Sequence, residues 1–371
     1  MTVVSATRDA ADRATRAPSP PRSGVRVAGW GTALPERRVT NHDLARHLDT
    51  SHAWIVERSG IHERRWAGPG ESTRPLATAA ARAALADAGM APGELDAVIV
   101  ATTTPEAPLP ATAAQVAADL GIGAGAFDLN AACAGFVYGL VVGTGMLSAG
   151  AARTVLLVGA DTMTSVLDPD DRSTAVLFGD GAAATVLVAD PASMASAPGG
   201  PADAPVPGLV ASDLVGDPLG VDLLVVAAGG SGRPATAETV AAGDHHLRMD
   251  GREVFRRAVR AVEASIGRTL DRAGCDPGDV DLFVPHQANA RIVDAVLART
   301  GLDPARTSST IDRFGNTSAA SIPLALAEAT ATGTVAEGDL VLVCGFGAGL
   351  TVGTALWRWG TPISTAGDPT T

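Results

Sequence analysis

The chain has 371 residues, 46% of them hydrophobic and 4% aromatic, with 42 glycines, so it can bury a large core of closely packed helices and sheets but shows no long apolar span, and a soluble globular protein is expected. All 28 basic residues are arginine; without lysine, Schiff-base chemistry, pyridoxal phosphate attachment and a Walker-type phosphate loop are excluded. A formal net charge of -12 argues against general affinity for nucleic acid, which needs a basic face.

In chain order, residues 1–23 are rich in Ala, Arg, Pro and Ser; Asp9 and Asp12 are unusual in a transit peptide, and a disordered tail is expected. Trp54 and Arg58 follow, four positions apart. Next, Leu85-Ala86-Asp87-Ala88-Gly89 reads as a helix end with a Gly stop, followed by the turn Pro92-Gly93 and a buried strand over Ala97-Val98-Ile99-Val100. The apolar pair Ala126-Phe127 leads to Asn130-Ala131-Ala132-Cys133-Ala134-Gly135-Phe136, and then to a helical pattern over Val137 to Val141. Another aliphatic strand runs over Thr154 to Gly159, and 191–207, rich in Ala, Pro and Gly, reads as a surface loop near the middle of the chain.

The second half repeats the first. Leu270 to Asp281 echoes Leu85 to Asp96, and Leu340 to Gly345 echoes Thr154 to Gly159, at offsets of 185 and 186 residues. Continuous aliphatic strands alternating with Ala-rich helices indicate parallel sheet covered on both faces, hence a duplicated α/β architecture. The expected organisation is a tail at 1–23, one half at 24–190, a loop at 191–207, a second half at 208–360 and a tail at 361–371.

Chemistry concentrates at three element ends. Cys133 follows a strand and opens a helix, where unpaired N–H groups and the helix dipole favour thiolate, and small neighbours leave room for a substrate carbon. His286 ends the strand Leu282-Phe283-Val284-Pro285, and Asn316 sits in the turn Phe314-Gly315-Asn316-Thr317-Ser318. A neutral His and an Asn can both donate to one developing oxyanion. Cys275 and Cys344 read as small core residues; an odd cysteine count without metal-ligand spacing fits a reducing cytoplasm and no bound metal. His62, His245 and His246 show no ligand pattern and are expected at the surface.

The motifs Ala-Ala-Cys-Ala-Gly-Phe around Cys133, Val-Pro-His-Gln-Ala-Asn around His286 and Gly-Asn-Thr-Ser-Ala-Ala-Ser around Asn316, in this order, resemble β-ketoacyl-acyl-carrier-protein synthase III. The likeness runs from about Val25 to Trp359 and includes Phe178-Gly179-Asp180-Gly181-Ala182 and Gly345-Phe346-Gly347-Ala348-Gly349. It implies a thiolase fold of two duplicated α/β halves in αβαβα layers, with catalytic Cys133, His286 and Asn316 and an oxyanion hole from the N–H groups of Cys133 and Ala348, where a glycine is usual. It also implies that Trp54 stacks on the adenine of coenzyme A with Arg172 on its other side, that Arg58 meets phosphate, and that Asn289 belongs to the coenzyme A site. Leu109 and Phe255 match acyl-pocket positions, Leu109 across a homodimer interface, and Arg256 and Arg291 match a docking patch for acyl carrier protein.

The implied reaction passes the acyl group of an acyl-CoA to Cys133, which malonyl-acyl-carrier protein attacks after losing carbon dioxide, giving a 3-oxoacyl-carrier protein with no metal or redox cofactor. A chalcone-synthase-like polyketide synthase shares the terminal Gly-rich loop, but His286-Gln287-Ala288-Asn289 favours synthase III. A thiolase would carry a second cysteine at Asn316, and a hydroxymethylglutaryl-CoA synthase would add a glutamate. Related acyltransferases or thioesterases keep the Cys and His, and a non-catalytic chain-length subunit would lack Cys133. Pocket shape, which sequence does not give, sets the starter chain.

Overall fold

The computed structural model describes residues 23–190 and 206–360, so the expected tail at 361–371, all but Ser23 of the one at 1–23 and nearly all of the expected loop at 191–207 lie outside the described residues. Ser23 itself is no tail residue but is buried, its Oγ accepting the Leu209 N–H at 2.7 Å. Strands form where aliphatic residues run without a break. The first half of the chain holds β1 (Val25–Ala33), β2 (Arg38–Thr40), β3 (Glu63–Arg65), β4 (Ala97–Ala101), β5 (Gly125–Leu129), β6 (Thr154–Thr162) and β7 (Asp180–Ala189). The second holds β8 (Gly208–Gly216), β9 (Leu224–Val225), β10 (Arg248–Met249), β11 (Leu282–Pro285), β12 (Leu340–Gly347) and β13 (Thr351–Arg358). The longer helices are α1 (His52–Ser59), α2 (Thr73–Asp87), α3 (Thr112–Leu120), α4 (Gly135–Ser148), α5 (Gly251–Ala273), α6 (Ala290–Thr300) and α7 (Ser321–Ala331).

The strands build two sheets in the orders β1-β7-β6-β4-β5 and β11-β12-β13-β8. Their logic is the same: β4 pairs parallel with β6 as β11 does with β12, and the next two pairings are antiparallel in each sheet. The outer strand β5 is reduced in the second sheet to one parallel bridge between Phe283 and Thr307. The Pro-Gly repeats become 3-10 turns at Pro92–Glu94 and Pro277–Asp279, each delivering the chain into a buried parallel strand.

Both faces of each sheet are covered, which is why these strands read as unbroken apolar runs. In β4, Ile99 points into the central core while Val98 and Val100 point to the outer one; in β12, Val341 and Val343 face inward and Leu342 outward. α2 and α3 cap the first sheet, α5 and α6 the second, and α4 and α7 fill the layer between, giving five layers.

The two central helices cross between halves. Gly345 of β12 faces the start of α4 so closely that a β-carbon there would stand 2.9 Å from Ala134 Cα, and one on Gly159 of β6 would stand 2.3 Å from the Ala319 carbonyl oxygen just before α7. Only glycine allows these approaches. They bring both helix starts to one place. Among the described residues, no helix is long and apolar enough to cross a membrane.

Candidate active site

Cys133 lies one residue before the cap of α4, in a tight turn where Ala134 N–H donates to Ala131 carbonyl and Gly135 N–H to Ala132 carbonyl. The sequence places it as the residue that opens the helix; in the fold it precedes the helix, because Ala132 turns the chain with φ of 48°. Gly347 packs against its N–H, where a β-carbon would come within 2.5 Å of the Cys133 nitrogen. The thiol is buried, and burial pushes it up to about 12, opposed by a hydrogen bond with Ser318 and reinforced by the charge of Asp161. The expected resting thiolate is therefore corrected. Desolvation outweighs the field of the helix start, and the resting group is a thiol.

His286 follows β11 directly, with its N–H donating to the Cys344 carbonyl at 2.7 Å. Burial holds its imidazole down to about 3, so the ring is neutral, and its edge packs against the Phe346 ring with centroids 5.5 Å apart. Asn316 is fixed at both ends: its backbone bridges Leu177 and Gly179, and its Oδ1 accepts the Ser318 N–H at 2.9 Å, which turns the amide NH2 the other way. Cys133, His286 and Asn316 line one cavity of about 460 Å³.

Trp54, Arg58, Asn289 and Arg291 line the same cavity. Arg172 does not line it but lies over the Trp54 ring at 4.9 Å, with Arg58 at 5.7 Å, held by a bond to the Asp49 carbonyl. Two stacking contacts of about 3.5 Å each need a gap of about 7 Å, so Arg172 has to withdraw before a planar base can enter between it and Trp54. Asn289 caps α6, accepting from Arg291 N–H and donating to the Arg58 carbonyl, so its side chain is already engaged in fixing the cavity wall.

Phe255 lines the cavity from α5, whereas Leu109 is 85% exposed and touches no part of its own chain's cavity. Ala348 is half-buried in the turn after β12; its neighbours Gly347 and Leu350 line the cavity. Arg256 is exposed but paired with Glu253, whose carboxyl its hydrogen bonds hold down at about 2, while Arg291 is exposed at the cavity and pairs with no carboxylate among the described residues. His62 is exposed as expected, but His245 and His246 are half-buried, because Thr239 bonds the His245 ring at 3.0 Å and Asp168 lies beside the ring of His246. No group of three or more potential metal-ligating side chains occurs among the described residues.

Sequence reasoning missed Asp161. This fully buried carboxylate accepts from Thr102, Thr103 and Thr104 on Oδ1 and from Ala319 N–H on Oδ2, tying the loop after β4 to the segment carrying Asn316. Nothing local marks it, since its partners lie 57 to 158 residues away. It missed Arg252 too, an exposed arginine at the cavity near the start of α5.

Residues 127–197 match the family described as 3-Oxoacyl-[acyl-carrier-protein (ACP)] synthase III, and residues 270–359 match its C-terminal region. The chain is 46% identical over 340 residues to β-ketoacyl-[acyl-carrier-protein] synthase III of Symbiobacterium thermophilum, covering 91% of this chain and 98% of the relative. Among solved structures it is similar to 3-oxoacyl-(acyl carrier protein) synthase III of Pseudomonas aeruginosa PAO1, with a TM-score of 0.80 and 44% identity over 92% of this chain and 99% of that one. The priming β-ketosynthase of the R1128 polyketide biosynthetic pathway gives a TM-score of 0.82 at 36% identity, over 94% of this chain and 100% of that one.

Proposed function

The chain belongs to the 3-oxoacyl-[acyl-carrier-protein] synthase III family, and on that premise we propose that it condenses an acyl-CoA starter with malonyl-acyl-carrier protein to give a 3-oxoacyl-carrier protein. The observation that carries this reading is the cavity shared by a buried cysteine, a histidine kept neutral by burial and an asparagine whose amide is locked by Ser318.

In the first stage, Cys133 sulfur bonds to the acyl carbon, the bond to coenzyme A sulfur breaks, and the thiol proton leaves with coenzyme A. Cys133 N–H, beside the tightly packed Gly347, and Ala348 N–H are the donors assigned to the tetrahedral oxyanion. In the second stage, malonyl decarboxylation leaves an enolate at the carrier thioester oxygen, and His286 and Asn316 donate to it. A neutral imidazole suits this role because it gives a hydrogen bond without protonating the carbanion. The electron pair that forms the new carbon–carbon bond comes from the bond to carbon dioxide; as that bond forms, the acyl carbon–sulfur bond to Cys133 breaks and the released thiolate takes a proton from solvent, so the chemistry calls for no metal or redox cofactor.

Trp54, Arg58 and Arg172 are assigned to coenzyme A, with Asn289 holding the wall between them and α6. Phe255 narrows the acyl end. Arg291 and, more weakly because of Glu253, Arg256 would receive the acidic carrier protein. A homodimer is proposed because Leu109 is 85% exposed, as a residue reaching into a partner's pocket would be. Three free cysteines and the two substrates fit a cytoplasmic location.

The test is intact-mass analysis after adding acyl-CoA and then malonyl-carrier protein. An acyl adduct on Cys133 that is discharged with release of carbon dioxide supports the reading. An adduct discharged equally by water or an alcohol would point to a thioesterase or another acyltransferase. Leu109→Phe should shift preference toward shorter acyl chains, and unchanged selectivity would remove Leu109 from the partner's pocket.

A further inference from the structure

Ser318 is held on three sides. Its N–H donates to Asn316 Oδ1 at 2.9 Å, the N–H of the next peptide donates to Asp161 Oδ2 at 3.0 Å, and the Cys133 thiol donates to its Oγ at 3.4 Å. The residue is 1% exposed and sits at φ of 51°, where a non-glycine residue is strained. That conformation is what turns its hydroxyl toward a sulfur 185 residues away in the sequence. Among the described residues its O–H meets no acceptor, and its one side-chain partner is that sulfur.

We propose that Ser318 is a catalytic residue whose hydroxyl accepts the Cys133 hydrogen in the resting enzyme and rotates to donate to the sulfur once the thiol proton has left. The hydroxyl rotor can do both, having one donor and two acceptor positions. The need arises from the site's composition. Asp161 from β6 disfavours a second negative charge at the sulfur; of the titratable groups lining the same cavity, His286 after β11 is neutral and lends no positive charge, and Arg58, Arg252 and Arg291 have no resolved influence on the thiol. A donor at the sulfur is the side-chain counterweight available there, beside the weak field of the helix start. This inference deepens the proposed function but does not need it, because any chemistry that begins with the Cys133 sulfur uses the same contact.

The test is the rate at which iodoacetamide alkylates Cys133, read by peptide mass spectrometry so that Cys275 and Cys344 are scored separately; a sulfur–carbon bond forms as iodide leaves. Ser318→Ala removes only Oγ, and alanine tolerates this backbone, as Ala132 at φ of 48° shows. Ser318→Gly removes Oγ and relieves the strain. A hydrogen bond to a charged sulfur predicts that both variants react about tenfold or more slowly at fixed pH, with acyl transfer from acyl-CoA falling in parallel. Unchanged or faster alkylation in Ser318→Ala, or slowing confined to Ser318→Gly, would overturn the proposal, as would slowed alkylation with undiminished acyl transfer. If wild-type protein took no acyl group from acyl-CoA while the alkylation pattern held, the proposed function would fall and the Ser318 contact would stand.

Discussion

The starts of the two central helices form the most informative comparison in this molecule. α4 begins at Gly135 and α7 at Ser321, 186 residues later, and at that spacing Ala132 matches Ser318, Cys133 matches Ala319, Gly159 matches Gly345, and Asp161 matches Gly347. Both turns use a non-glycine residue at positive φ, 48° and 51°, and both press against a glycine of the other half's sheet. The backbones are alike and the side chains have diverged. The first half presents the nucleophile against a bare glycine strand, while the second presents Asn316 and Ser318 against a carboxylate. One backbone device has been loaded with two different chemistries.

The largest expected effect comes from erasing that divergence at the nucleophile. Cys133→Ala gives the first turn the residue its counterpart Ala319 already has, so the protein should fold normally and lose all acyl labelling from acyl-CoA. Covalent labelling that persists in the variant would place the nucleophile elsewhere.

The second half should fail differently. Asn316→Ala or His286→Ala should still accept the acyl group but slow malonyl decarboxylation by about 10²–10³, the usual cost of one oxyanion donor. Single-turnover assays of each stage would decide. Equal losses in both stages for a folded His286→Ala protein would mean that His286 acts on the thiol. The same residue sets a pH signature. Its folded value of about 3 lies below the ordinary 6.5, so the unfolded chain takes up a proton first. The stability contribution is whole above about pH 6.5 and is lost as pH falls toward 3, while the decarboxylation rate should show no histidine titration between pH 5 and 8. An inflection in that stage near pH 6.5, absent from His286→Ala, would contradict a buried neutral ring.

Smaller effects should test the crossing glycines. Gly159→Ala would drive a methyl to 2.3 Å from the Ala319 carbonyl oxygen, and Gly345→Ala to 2.9 Å from Ala134 Cα. Each should cost about 1–3 kcal/mol in denaturant melts. The first should impair decarboxylation before acylation, and the second the reverse. Indistinguishable stage profiles would show that the two turns are not mechanically separate.

The smallest effect should be at the rim. Arg291→Glu should raise KM for malonyl-carrier protein more than Arg256→Glu does, because Glu253 already offsets Arg256. The difference should shrink with salt, as contacts screened over about 8 Å do. Equal loss of labelling by acyl-CoA would move Arg291 from docking to the coenzyme A site.

Sequence alone determined the alternation of aliphatic strands and Ala-rich helices, the internal repeat, and the three element ends carrying Cys133, His286 and Asn316. These are legible because strand burial, helix stops and Pro-Gly turns are written in neighbouring residues. What only the tertiary structure decided is the state of the groups placed there. The thiol is pushed up by burial and not lowered by its helix, Arg172 rests directly on Trp54, and Asn289 is occupied as a cap. Asp161 and Ser318 were invisible for the same reason. Their partners arrive from other elements, and desolvation and hydrogen bonding depend on what the fold brings within a few ångströms, not on what stands next in the chain.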